Sequence, residues 1–167
     1  MKKFILMLLV MLIFISGCSS TELVLGEECE IGDIYYRPPS GWKFVSEEGS
    51  NYHYPFSGGM LFVSFNNLDY ISTDYDEAQS NLKNTYQGFV SSAYEYSPIS
   101  ETFDAKENHS FSASFTADFG YGEEFTNYYS VIIDDSLYVF ALVGTAYPKD
   151  KQARILEDVV STIRKEE

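Results

Sequence analysis

Cysteine and histidine, which commonly form cross-links and metal sites, are scarce in this 167-residue chain. It contains Cys18, Cys29, His53 and His109 and no others of either type. Two cysteines exclude a disulfide framework, and neither histidine lies in a His-Glu-x-x-His motif or beside a cysteine pair. No Gly-x-Ser-x-Gly motif marks a nucleophile. The sequence therefore predicts no catalytic residue, no metal ligand and no cofactor-binding residue.

Positive charge is also scarce, with 11 Lys and Arg residues against 25 Asp and Glu residues. Removal of a leader that carries Lys2 and Lys3 would leave nine basic and 25 acidic residues, a net charge of −16. Such a surface repels phosphate backbones, so we expect no nucleic-acid partner. The sequence also contains no polybasic run that would bind anionic lipid.

Apolar runs are short apart from one near the N-terminus. The 12 residues from Phe4 to Ile15 are all apolar and follow Lys2 and Lys3. A membrane-spanning helix needs about 20 apolar residues, so this run is too short to span a bilayer. Its length and its positive flank are typical of a secretory signal peptide.

The next residues match a bacterial lipobox, Ile15-Ser16-Gly17-Cys18. Ser16 and Gly17 are small enough to enter a signal peptidase, and the Cys18 thiol is the group that is acylated. We expect residues 1–17 to be a lipoprotein signal peptide and Cys18 to be the lipid attachment site. Acyl chains on Cys18 would then hold the protein on the extracytoplasmic face of the cell membrane. The alternative is an ordinary signal peptide followed by an incidental cysteine.

Residues 18–32 have little periodicity and predict a flexible tether with a reach of about 20 Å. The Leu23–Leu25 triplet could instead add a short edge strand. Cys29 lies among Glu27, Glu28 and Glu30, and nearby carboxylates raise a thiol pKa, so we expect an unreactive thiol.

Residues 33–167 predict a single α+β domain, a mostly antiparallel sheet with two main helices packed on it. One helix begins at Thr73-Asp74 and ends near Ala93, and the other begins at Pro148, with Arg164 and Lys165 at its C-terminal end. Alternation in residues 110–119 places aromatic and alanine side chains on one face of a strand and hydroxyls on the other. Other predicted strands lie at 34–37, 42–45, 51–54, 60–68, 125–133 and 137–143, and the strands from 110 to 143 form an antiparallel meander.

Two surface features leave alternatives open. Acids cluster at Asp74-Asp76-Glu77, Glu123-Glu124 and Asp134-Asp135, and none of these clusters has EF-hand spacing, so we interpret them as a helix start, a strand edge and a hairpin turn. A paired-carboxylate hydrolase remains an open alternative because carboxylate separation is not visible in a sequence.

Exposed tyrosines could bind a glycan or a protein partner. The tyrosines that we expect at the surface are Tyr35, Tyr52, Tyr94, Tyr96, Tyr121 and Tyr128.

Taken in order, these elements resemble the PsbP-like group. The resemblance rests on the Pro39-Ser40-Gly41-Trp42 turn after a short strand, the Gly58-Gly59 hairpin, the helix, the meander, Leu137–Phe140, and the closing pattern Ile155 to Ile163. It implies an α/β/α sandwich, shared with a nuclear-transport factor that binds the GTPase Ran, and the group includes small bacterial lipoproteins. It carries no shared catalytic constellation.

The sequence thus favours a membrane-anchored extracytoplasmic lipoprotein with a non-catalytic binding or adaptor domain. The partner, either a protein or a small ligand, is left open. An extracytoplasmic hydrolase that uses carboxylates is the alternative, and a structural envelope protein is a third hypothesis, which an exposed apolar patch would favour.

Overall fold

The computed structural model describes residues 23–55, 58–67, 75–104, 109–120, 122–144 and 147–165. These ranges contain ten strands and two helices. In chain order they are β1 Cys29–Ile31, β2 Ile34–Tyr36, β3 Lys43–Glu47, β4 Ser50–Tyr54, β5 Met60–Asn67, α1 Tyr75–Val90, β6 Glu95–Asp104, β7 Ser110–Asp118, β8 Glu123–Ile133, β9 Ser136–Val143, α2 Lys149–Val160 and β10 Arg164–Lys165.

Seven strands form an antiparallel sheet in the order β3-β4-β5-β9-β8-β7-β6, and a small sheet has the order β1-β2-β10. A separate hydrophobic core lies against each face of the large sheet. The side chains of Leu82, Tyr86, Phe115 and Tyr128 form part of the core under α1. The opposite core lies under α2 and the small sheet, and it includes Ile34. This arrangement confirms the predicted α+β class and its α/β/α layers.

Strand β9 is the central strand of the large sheet, between β5 and β8. All eight of its residues are buried. Its continuous apolar sequence is typical of a strand that is covered on both faces, and the two cores cover it on both faces here.

Helix α1 packs through the predicted apolar stripe, with Ala78 and Leu82 fully buried. It ends at Val90, three residues before the predicted end at Ala93. The hydroxyls of Ser91 and Ser92 donate to the carbonyl oxygens of Gly88 and Phe89. These side-chain bonds satisfy carbonyls that a longer helix would have used. The predicted cap at Asp74 lies outside the described residues.

Strand β6 was not predicted from the sequence. It forms an edge of the large sheet and pairs with β7, with a register shift between Pro98 and Ser100. A proline lacks the N–H that a ladder needs, so it is tolerated at an edge or a bulge, and it hid the strand in the sequence. The meander therefore has four strands.

The predicted tether at 18–32 differs from the structure over its second half. Leu25 bridges Pro39, and β1 pairs with β2. Ile31 is buried because it completes the core under α2. At Leu23–Leu25, where the sequence could have added a short edge strand, the structure has only the isolated bridge from Leu25 to Pro39.

The predicted position of Arg164 and Lys165 at the end of the second helix was wrong. Helix α2 ends at Val160, and both residues belong to β10, which pairs with β2. Arg164 forms an ion pair with Glu28, and Lys165 forms one with Asp134. Within the described ranges, neither helix is long and apolar enough to cross a bilayer.

Candidate functional site: a groove beside helix α2

A row of hydroxyls crosses three neighbouring strands on the α2 side of the large sheet. Cross-strand pairing places Thr102 opposite Ser112 and Ser100 opposite Ser114. Ser114 in turn lies opposite Asn127. Successive residues of a strand point to opposite faces, so this polar row backs directly onto the apolar core under α1.

Helix α2 flanks this polar row and makes it the floor of a groove. The helix contributes Ala153, Leu156, Glu157 and Val160 to one wall. The enclosed volume is about 150 Å³. We call this space, together with its extension described below, the α2 groove.

Asn127 is the most constrained polar residue of the floor. Its side chain is 4% exposed, and its Oδ1 accepts a hydrogen bond from the Ser114 hydroxyl at 2.8 Å. Its Nδ2 is buried and has no hydrogen-bond partner among the described residues. A buried donor without a partner is costly, and this one lies beneath the floor of the groove.

The groove continues toward the C-terminal end of α2. A second space of about 200 Å³ shares Tyr129 and Val160 with the first. Its walls include Ile163, Arg164 and Lys165. The α2 groove therefore has one carboxylate, Glu157, beside its hydroxyl floor and two cationic side chains at its far end.

Among the described residues, the groove is lined by one carboxylate, Glu157, and by neither His53 nor His109. General acid–base chemistry on a glycosidic bond requires two carboxyl groups on opposite sides of that bond. The arrangement can donate and accept hydrogen bonds, which makes it suitable for binding.

Both histidines are strand or strand-start residues, as the sequence predicted. His53 is buried in β4, and its Nε2 lies 2.7 Å from the Tyr36 hydroxyl. Burial lowers the pKa of His53 to about 4. The ring of His109 stacks on Phe103.

The predicted surface tyrosines divide into three groups. Tyr94 and Tyr96 are exposed, whereas Tyr35 and Tyr52 are half-buried, and Tyr121 lies outside the described residues. The prediction for Tyr128 was wrong, because it is 1% exposed and packs in the core under α1. Burial raises its pKa to about 12.

The other predicted site residues lie apart from the groove or outside the described ranges. Cys18, the predicted lipid attachment site, lies outside them. Cys29 is half-buried in β1, and burial, with a smaller contribution from Glu27, raises the pKa of its thiol. Among the residues that the structure describes, no three His, Cys, Asp or Glu side chains are placed to hold a metal ion.

Sequence reasoning identified the hydroxyl face of β7 but missed the groove. The alternation of Ser112, Ser114 and Thr116 was visible, and it was interpreted as a solvent-facing surface. The contribution of Asn127 was missed because β8 shows no alternation of apolar and polar residues. It has buried residues on both faces. The proximity of α2 to this face carries no local sequence signal.

Comparisons with known proteins support the fold and go no further. No family model matches the chain, and no curated protein sequence matches it. Cyanobacterial PsbP (CyanoP) from Synechocystis aligns with a TM-score of 0.62 and 12% identity, over 90% of this chain and 98% of that one. The Ran-binding protein Mog1p of Saccharomyces cerevisiae aligns with a TM-score of 0.54 and 10% identity, over 86% of this chain and 96% of that one. The chain therefore has the PsbP-like fold that Mog1p shares, which confirms the fold implied by the resemblance.

Proposed function

We propose that this protein is a lipid-anchored extracytoplasmic binding domain without catalytic activity, and that ligand binds in the α2 groove. The lipobox at Ile15–Cys18 supports the anchor. The observation that carries the binding role is the floor of hydroxyls from Ser100, Thr102 and Ser112 that lines the groove. The fold supports a binding role as well, since Mog1p is a Ran-binding protein with the same architecture.

The chemistry of the groove favours a neutral, hydroxylated ligand such as a sugar unit. Ser100, Thr102 and Ser112 can each donate and accept a hydrogen bond, as the hydroxyls of a sugar do. Glu157 adds an acceptor. A net charge of −16 on the mature chain opposes the approach of an anion.

The alternative, a carboxylate-dependent hydrolase, has less support. Two further clefts in the described part of the chain contain Glu101 and Glu124, one carboxylate each. Glu101, Glu124 and Glu157 therefore each lie in a separate cleft. A hydrolase of this type would need two of them to face each other across one cleft.

The anchor is tested by membrane fractionation of the wild type and Cys18→Ala. Lipidation at Cys18 predicts that the wild type sediments with membranes and that the variant leaves them. Unchanged fractionation of the variant would contradict the anchor. The soluble variant also supplies protein for binding measurements.

The groove is tested by calorimetric titration of the Cys18→Ala protein with a panel of neutral mono- and disaccharides. We expect at least one sugar to bind, and Thr102→Val to weaken that binding about fivefold or more because one buried hydrogen bond to ligand contributes about 1 kcal/mol. Thr116→Val is the matched control, since Thr116 lies on the same face of β7 but does not line the groove. Equal effects of the two variants, or no binding of any sugar, would contradict the assignment of the groove.

A further inference from the structure

The described chain starts beside the Pro38–Ser40 turn and is fixed there. The amide of Ser40 donates to the carbonyl oxygen of Val24, and the amide of Gly26 donates to the carbonyl oxygen of Pro38, both at 2.7 Å. Val24 is 69% exposed. Cys18 is six residues from Val24 in the sequence, and six residues span at most about 21 Å in any conformation.

An aromatic pair lies just beyond this turn. The rings of Trp42 and Tyr147 are stacked, with centroids 6.3 Å apart and planes 7° from parallel. The ammonium group of Lys151 lies 4.7 Å from the centroid of the Tyr147 ring. Tryptophan and tyrosine are enriched at the headgroup level of membrane proteins because their rings are amphipathic.

One exposed lysine lies at the pair. Lys151 belongs to the first turn of α2, where Asp150 is the accompanying acid. The carboxylates of this acidic chain otherwise outnumber its basic groups more than twofold. A lysine near a membrane surface adds attraction to anionic lipid even where the sequence contains no polybasic run.

We propose that the surface formed by Val24, Trp42, Tyr147 and Lys151, here called the exit face, rests on the headgroup layer of the membrane that holds the lipid anchor. This inference depends on the proposed anchor at Cys18. The flexible tether expected from the sequence would have held the domain clear of the headgroups. Because Val24 and Gly26 are fixed to the Pro38–Ser40 turn, the six-residue separation from Cys18 limits how far the exit face can lie from an anchor at Cys18.

Trp42 is the single tryptophan of the chain, so its fluorescence reports on this face alone. The lipidated protein is reconstituted into vesicles of phosphatidylcholine and phosphatidylglycerol that contain a headgroup spin-labelled lipid. We expect loss of Trp42 fluorescence in these vesicles relative to unlabelled ones. The soluble Cys18→Ala protein serves as the unanchored reference and is expected to show little loss.

The matched control moves the reporter to the opposite layer. In the double variant Trp42→Phe/Glu77→Trp, the reporter lies on an exposed position of α1, across the large sheet from α2. The inference predicts loss of fluorescence from Trp42 and little loss from the Glu77→Trp reporter. Equal loss from both, or none from Trp42 in protein that sediments with the vesicles, would overturn it.

Failure of the anchor gives a different result. Protein that carries no lipid would remain in the supernatant when the vesicles are sedimented, and this outcome overturns the anchor together with the inference. Replacement of Lys151 by glutamine tests the electrostatic part. We expect the variant to lose the additional quenching that phosphatidylglycerol produces over phosphatidylcholine alone, and unchanged quenching would overturn the role of this lysine.

Discussion

The hydroxyl of Tyr36 lies 2.7 Å from Nε2 of His53, and this contact joins the small sheet to the large one. The side-chain amide of Asn51 donates to the Tyr36 hydroxyl at 3.1 Å and to the carbonyl oxygen of Glu30 at 3.0 Å. Because Asn51 donates a hydrogen bond to the Tyr36 oxygen, the Tyr36 hydroxyl is free to donate its own proton to His53. Nε2 of His53 must then carry no proton, so that it can accept this hydrogen bond. An uncharged His53 ring agrees with a pKa that burial lowers to about 4.

This relationship predicts a loss of stability in acid. The folded-state pKa of His53 is about 4, below the 6.5 of an exposed histidine, so the unfolded chain binds more protons between these values. Stability is therefore fully present above about pH 6.5 and falls as the pH drops toward about 4, by up to about 3 kcal/mol from this group. Urea denaturation of the Cys18→Ala protein across this pH range measures the change.

The variant His53→Gln isolates the histidine from the carboxylates that also titrate in acid. Glutamine retains an acceptor for Tyr36 but does not ionise. We expect the variant to be less stable at pH 7 and to lose less stability between pH 6.5 and 4 than its parent. Parallel curves for the two proteins would contradict the assignment.

Gly144 is predicted to tolerate no side chain. Its φ is +128°, and a Cβ at this position would overlap the Cα of Gly59. We expect Gly144→Ala to cost about 3 kcal/mol or more, because backbone strain and overlap with another backbone segment add together. Gly122 is the matched control, since its φ is +100° and nothing lies within 4 Å of its added Cβ. Gly122→Ala should cost about 1 kcal/mol from strain alone, and equal urea midpoints for the two variants would refute the overlap.

Cys29 is predicted to react slowly in the folded protein. Burial is the main cause of its raised thiol pKa, and the Glu27 carboxylate adds to it, so little thiolate is present near neutral pH. In the Cys18→Ala chain it is the one remaining thiol, which permits a direct rate measurement with a disulfide reagent. We expect the rate at pH 8 to rise about tenfold or more on unfolding in urea. The same rate in both states would show that the thiol is open to solvent.

Leu82 is predicted to be a principal anchor of α1. It is 0% exposed in the core between α1 and the large sheet. Leu82→Ala removes buried methyl groups and leaves a cavity, at a cost of about 3 kcal/mol. Lys83→Ala changes the next, exposed position of the same helix and should alter stability by less than about 0.5 kcal/mol. Thermal denaturation of both variants makes the comparison, and similar losses would contradict the packing.

Periodic segments were predicted well because periodicity reports burial directly. The stripe through Ala78 and Leu82 on α1 and the unbroken apolar sequence of β9 both identified the faces that pack. Strand β6 gave no such signal, because an edge strand with Pro98 and many polar residues packs little on either face. Tyr128 was misassigned for a related reason. It neighbours Tyr129 in one strand, so the two must face opposite layers, and the pattern of β8 does not say which face is buried more deeply.

The groove illustrates the limit of sequence reasoning more clearly. The hydroxyls of β7 were apparent, but a polar strand face has the same sequence pattern in bulk water and beside a helix. The position of α2 across β8 and β9 is set by the core that Leu156 and Val159 share with the small sheet. Only that packing leaves Asn127 buried with a donor unused.

The sequence by itself determined the class of the fold, the central strand, the apolar faces of both helices, and the prediction of a lipid anchor at Cys18. Each of these depends on residues close together in the chain, whose spacing expresses a local physical requirement. The tertiary structure alone decided that residues 23–31 are ordered against the domain, that Tyr36 contacts His53, and that α2 borders a hydroxyl-lined groove. These features join residues distant in sequence, and they exist only once the two cores have packed on the sheet.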